Sequence, residues 1–197
     1  HKLSTILKNK GQFKEGSFVS LMFLDFKKDF NCLDHGILLM KLSLYGISGR
    51  LLSLIDSFLS NLSQLVSIHN QKSKLLPIEN GVPQGSILAP TLFLIYVNDI
   101  LNTTLYSKAS KASAHADDTV FMTKAEDIQT LEQLCNTDLQ LINRWCCDNR
   151  MVLNMNKSHL MLLRPSIRVP DSHLNSLVEN RKLRRESKTC LLGIHLE

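Results

Sequence analysis

Three carboxylates in two blocks have the residue type and placement to do chemistry. Ser17 to Phe26 (SFVSLMFLDF) is apolar and β-prone and reads as a buried strand that ends at Asp25, while Asp117-Asp118 lies between the short β-prone arms of Ala112 to Met122. An acid at the end of a buried strand is costly unless something holds it there. If the two blocks sit side by side, they offer the hard oxygen ligands that a pair of divalent metal ions needs for in-line nucleotidyl transfer. Metals about 3.5–4 Å apart can activate a primer 3′-hydroxyl and neutralise a leaving pyrophosphate. Alone, an Asp-Asp pair in a turn is more often a solvated surface feature, so the surrounding blocks must decide.

The elements that would position these acids follow from periodicity. Asp34 can cap a helix carrying Ile37, Leu38, Leu42 and Leu44, stopped at Gly46. Ser48 can cap a second, on which Leu51, Leu52, Ile55, Phe58, Leu59 and Leu62 form a helical stripe; both helices are expected to face a core. Gln64 to His69 alternates as a strand, Asn70 to Ser73 reads as a turn, and Lys74 to Glu79 with Pro77 as an edge strand. Gly81 to Ser86 is a turn-rich loop before an apolar helix that has Pro90 in its first turn and runs to about Leu101. Ala112 to Met122 predicts a hairpin with the two acids at its tip. A long helix follows, with Ile128, Leu131, Leu134, Cys135, Ile142 and Trp145 near a 3.6 period. Leu160 to Leu163 and Cys190 to Leu196 read as short strands, and Arg164 to Lys188 shows no periodicity.

Composition narrows the class. With 197 residues, 44% hydrophobic and 21% charged, the chain can bury one sizeable core and is neither disordered nor collagen-like. The net charge of +5 is uneven: residues 1–15 contribute +3 and residues 157–197 contribute +4, which leaves the middle at −2. Acidic centre and basic flanks suit metal-binding carboxylates surrounded by phosphate-contacting groups. Five cysteines (Cys32, Cys135, Cys146, Cys147 and Cys190) show no C-x-x-C pair and no zinc spacing, as expected for reduced thiols in an intracellular setting, nucleus or cytoplasm. The apolar run Ile87 to Val97 is too short to span a bilayer and contains Pro90, so no membrane partner is expected. His1 in place of an initiator Met is read as the start of a fragment.

The order of the blocks resembles the reverse transcriptases of LINE-type (non-LTR, jockey-like) retrotransposons, from Phe18 to about Leu163 with an echo at Cys190 to Leu196. Leu24-Asp25-Phe26-Lys27-Lys28-Asp29-Phe30 resembles the family's first palm block, an aspartate followed five residues later by an aromatic. Gly81-Val-Pro-Gln-Gly-Ser86 and its continuation to Ile100 resemble the second block almost throughout. Ala116-Asp117-Asp118-Thr119 resembles the catalytic hairpin. Leu153-Asn-Met-Asn-Lys157 resembles the block after it, and Leu191-Leu192-Gly193-Ile194 the primer-grip region.

The resemblance implies an α/β (α+β) polymerase palm within a right-hand reverse transcriptase fold, its antiparallel sheet backed by helices. Residues 1–16 would be an incomplete fingers-side flank, 17–163 the palm, and 164–197 a basic linker leading into the primer-grip and thumb side. It makes Asp25, Asp117 and Asp118 the catalytic metal ligands for two Mg²⁺ ions, with Mn²⁺ as a substitute. Phe26, Phe30, Pro83, Gln84, Gly85 and Lys157 become nucleotide or template contacts, with Phe30 a gate against ribose. The implied partners are an RNA template, a DNA primer, deoxynucleoside triphosphates, and the fingers, thumb and endonuclease parts of a parent polyprotein. Departures from the family pattern are Asp29, Asn31, Ala89 and His115. With the truncation they support one alternative, an inactive remnant that at most binds nucleic acid or a protein; a second alternative is a group II intron or telomerase-like reverse transcriptase, over which the Leu88-Ala-Pro90 and Val97-Asn-Asp-Ile100 wording favours the LINE type.

Overall fold

The computed structural model describes residues 17–27, 31–83, 85–103, 110–115, 118–163, 177–178, 181–187, 189–191 and 194–196. The chain divides into two compact units: one takes residues up to 27, 98–148 and 152 onward, the other residues 28–97 and 149–151. The region expected to form the palm, 17–163, includes parts of both.

The first unit is built on a sheet whose centre is β1 (Phe18–Leu24). On one side β1 pairs antiparallel with β7 (Asp118–Ala125), which pairs with β6 (Ser110–His115). On the other it pairs antiparallel with β8 (His159–Leu163), which carries β11 (Arg184–Arg185) alongside it. The resulting order is β11-β8-β1-β7-β6. The sheet is therefore antiparallel, as expected, except at β11, which runs parallel to β8.

A central strand is covered on both faces, which is why Val19 and Leu21 to Leu24 are all buried and the run lacks polar alternation. Leu21, Phe23, Val120 and Met161 cluster on one face, with Met122 and Leu163 against them. The long helix α5 (Ile128–Asp148) is buried along one stripe, Leu131, Cys135, Asp138, Leu139, Ile142, Trp145 and Cys146, and packs on β1 and β7. Asp127 caps it through Thr130, whose amide donates to Oδ1 at 2.8 Å and whose hydroxyl donates to Oδ2 at 2.6 Å. The short helix α4 (Ile100–Thr103) also belongs to this unit, and Asp99 just before it accepts from the Trp145 indole at 3.0 Å. Beyond β8 lie two small hairpins, β9 (Leu177–Val178) with β10 (Arg181–Lys182), and β12 (Thr189–Leu191) with β13 (Ile194–Leu196).

The second unit opens with α1 (His35–Leu44), which Asp34 caps by accepting from the Ile37 amide at 2.9 Å. Gly46, at φ +86°, supplies the left-handed stop. In α2 (Gly49–Leu59), Ile55 and Leu59 are buried. Not every expected core residue is inside: Leu44 is 80% exposed and Leu51 54%, because one lies on the far side of its helix from Leu42 and the other at the margin of its stripe. Ser48 stands at the cap position of α2 without a side-chain cap bond.

The segment after α2 is a hairpin in two short stretches, β2 (Ser63–Gln64) with β5 (Leu76–Pro77) and β3 (Ser67–Ile68) with β4 (Gln71–Lys72). Its turn falls at His69-Asn70, earlier than the Asn70–Ser73 expected, because both residues take left-handed φ of 46° and 65° as a two-residue hairpin turn requires. Helix α3 (Ala89–Val97) then begins with Pro90 as its second residue and ends short of the expected Leu101. Buried Lys41 donates to the Tyr96 carbonyl, in the last turn of α3, at 2.5 Å. Tyr96 in turn donates to the Asn149 carbonyl at 2.7 Å. Among the described residues, no helix is long and apolar enough to cross a membrane.

Candidate active site

Asp25 lies one residue past β1, half-buried, and the chain around it is held on every polar atom of its backbone. Its amide donates to Ser158 Oγ at 3.1 Å and its carbonyl accepts from the Asn154 amide at 2.8 Å. The Asn154 side-chain amide donates to its carboxylate Oδ2 at 2.8 Å. Next along the chain, Phe26 bridges antiparallel to Leu153 and the Lys27 amide donates to the Val152 carbonyl at 2.8 Å. Residues 25–27 are thereby zipped to 152–154. The turn that follows closes on the Asn154 carbonyl, which accepts from the Lys157 and Ser158 amides at 3.0 and 2.8 Å. Lys157 is exposed on that turn, so the fold brings this predicted basic contact beside Asp25.

The β1–β7 register runs from Phe18↔Ala125 to Leu24↔Thr119. Asp25 follows the last pair on β1, and Asp118, the first residue of β7, precedes it on β7 and pairs with His115 of β6. The predicted hairpin is therefore present, and its β7 arm starts at one of the two acids. Asp117 lies outside the described residues, as do Phe30 and Gln84, and Asp118 is described by its backbone alone. Among the described residues, no three His, Cys, Asp or Glu side chains are grouped to hold a metal ion.

Of the predicted nucleotide contacts, Phe26 is only 3% exposed, its ring tilted against Trp145 at 6.2 Å between centroids. Pro83 and Gly85 belong to the second unit, in a loop anchored where the Gly81 amide donates to the Leu33 carbonyl at 2.7 Å. The Pro83 carbonyl accepts from the Ser86 amide at 3.2 Å, and Ser86 Oγ accepts from the Ala89 amide at the start of α3. Gly85 has φ +86° with open space where a Cβ would stand, so the loop needs glycine here for its backbone conformation.

Sequence reasoning missed two residues that hold the site, Asn154 and Ser158. Their signal was present only as the weakly specific block around Lys157. It also missed the aromatic stack of His159 on Phe23, 4.7 Å between centroids and 10° from parallel, one row in from Asp25.

A mixed sheet with a strand-end carboxylate on the strand next to an acid-bearing hairpin, backed by a long helix, is a polymerase palm. The model of the family "Reverse transcriptase (RNA-dependent DNA polymerase)" matches residues 2–196, and the chain belongs to that family. Among curated proteins, it is 30% identical over 139 residues to the RNA-directed DNA polymerase from mobile element jockey of Drosophila melanogaster and, at the same identity and length, to that of Drosophila funebris. Each match covers 68% of this chain and 15% of the relative, so the chain spans under a sixth of those proteins. These relatives bear out the resemblance to LINE-type, jockey-like elements. Among solved structures, apo telomerase from Candida tropicalis, truncated of its C-terminal domain, superposes with a TM-score of 0.65 at 12% identity. That match covers 98% of this chain and 36% of the telomerase, and it shows a shared fold.

Proposed function

We propose that this chain is the palm of a retrotransposon RNA-directed DNA polymerase, extending a DNA primer on an RNA template with deoxynucleoside triphosphates. The carrying observation is Asp25, fixed just past the end of β1 by Asn154 and Ser158, with β7, whose first residue is Asp118, paired alongside β1. The jockey relatives favour this element type over a telomerase-like one, since the telomerase likeness rests on fold at 12% identity.

The donor set suits divalent metal ions, which reverse transcriptases generally use. Among the described residues, no Lys or Arg neutralises Asp25, and its side-chain donor is the neutral amide of Asn154, so its charge is available to a cation. Asp25, Asp117 and Asp118 would hold two Mg²⁺ ions or, in their place, Mn²⁺. Bound there, the metals supply the charge that activates a primer hydroxyl and stabilises the leaving pyrophosphate. The chain's own part is positioning: Asn154 orients the Asp25 carboxylate, and Lys157 stands ready for a phosphate oxygen. Phe26, Phe30, Pro83, Gln84 and Gly85 would supply the nucleotide and template contacts.

Primer extension on poly(rA)/oligo(dT) tests the reading, using the chain alone and joined to the flanking segments of a jockey relative, each with an Asp117→Ala, Asp118→Ala control. Metal-dependent extension that vanishes in the control is expected. No extension by the folded, completed protein would sink it and leave an inactive remnant.

A further inference from the structure

The sheet face under α5 carries a polar row that the metal chemistry does not use. Ser20 on β1, Thr123 on β7 and Ser110 on β6 follow one another in register, each 5% exposed or less. From α5, the fully buried Asp138 reaches two of the three strands: its Oδ2 accepts from Ser110 Oγ at 2.6 Å and from Thr123 Oγ1 at 3.0 Å. The two hydroxyls are themselves 3.2 Å apart. Burial pushes the Asp138 carboxyl up from its ordinary range, against the two hydroxyl donors. Its Oδ1 is buried without a hydrogen-bond partner, so the acid is held at a cost and its geometry is asymmetric.

The asymmetry has a direction. Among the described residues, β6 is the outermost strand on its side of the sheet and pairs with β7 alone. Ser110 is its first residue, and Thr123 is Ser110's partner across the hairpin. One carboxylate oxygen therefore fastens both arms of the hairpin, at the end away from Asp117-Asp118, onto the helix behind it.

We infer that Asp138 is a positioning residue for the acid-bearing hairpin, pinning β6 and β7 together onto α5 and so holding the strand that starts at Asp118 in place alongside β1 and Asp25. This rests on the reading of that hairpin as the metal-binding one. The neutral isostere Asn can still accept from both hydroxyls, whereas Leu keeps the volume and loses both bonds.

The test compares wild type, Asp138→Asn and Asp138→Leu by hydrogen exchange of the β6 and β8 amides and by Mn²⁺ titration, with Asp117→Ala, Asp118→Ala as the blank. In Asp138→Leu, faster exchange in β6 with β8 still protected is expected, with Mn²⁺ affinity lower by roughly two- to thirtyfold, the range of coupling through packed networks. Asp138→Asn should restore both. If Asp138→Leu keeps wild-type β6 protection and Mn²⁺ affinity, or if Asn fails as Leu does, the inference is overturned. Should the Leu variant not fold, Ser110→Ala removes the β6 hydroxyl while leaving the Thr123 bond to Asp138, and is expected to move both readouts the same way; no movement overturns the inference. A wild type that binds no Mn²⁺ would sink the metal reading instead, and β6 protection would still decide the tie.

Discussion

Asp25 was legible from sequence because an acid closing an apolar run has no local reason to be there. The residue that holds it, Asn154, was not, since it is 129 positions away and its amide looks like any surface amide until the chain folds. Replacing it tests the pairing: Asn154→Ala is expected to weaken Mn²⁺ binding by about tenfold, as losses of groups that orient metal ligands typically do. Titration calorimetry on the folded variant would read this, and an unchanged affinity would mean that Asp25 orients itself. Asp138 was equally hidden, because one acid on a helix normally points to solvent. Its carboxyl titrates above the unfolded range, so the folded state holds the proton longer, and stability falls as pH rises from the ordinary Asp range through the raised value. Asp138→Asn removes that loss. Its melting temperature should gain on wild type between pH 4 and pH 7.5, with Cys135, the nearest titratable neighbour on α5, staying protonated since burial pushes its thiol up to about 11. A constant difference across that range would contradict the sign.

At the scale of elements, the helices announced themselves through period and caps, β1 and β8 through their apolar runs, and β6 and β7 as β-prone arms on either side of the paired acids. What could not be read were elements made by pairing alone. β11 is two arginines in a charged stretch, and only the β8 edge beside it makes it a strand. The hairpin between α2 and α3 has its turn set by the left-handed φ of His69 and Asn70, residues with no glycine to mark them. Caps are the local devices most open to test. Asp34 accepts from the Ile37 amide with one oxygen and from Arg150 with the other, at 2.5 Å. Asp34→Ala should cost about 1 kcal/mol from the lost cap, whereas Asp34→Asn keeps the cap and loses only the ion pair to a largely exposed arginine, within about 1 kcal/mol of zero. Urea denaturation of the two variants separates the terms; equal losses would assign the effect to the ion pair.

For the molecule as a whole, the fold class and the family were readable because block order is a long-range property that short motifs cannot imitate. Charge distribution is likewise a whole-chain property. The basic residues 157–197 and the exposed Lys157 predict that binding to an RNA–DNA hybrid is dominated by phosphate contacts. Raising salt from 50 to 200 mM should weaken it at least about tenfold, and Lys157→Ala should lower the slope of log affinity on log salt by about one. Fluorescence anisotropy would measure both, and a slope unchanged by the substitution would remove Lys157 from the contact.

The central position of β1 has a consequence for how the protein is born. Val19 is paired on one side with Lys124 and on the other with Leu163, so the strand that forms the middle of the sheet leaves the ribosome long before either neighbour exists. At ordinary elongation rates the wait is on the order of ten seconds. Throughout it, FVSLMFL is an apolar segment with both edges open, the composition that chaperone holdases and cross-β aggregates both select.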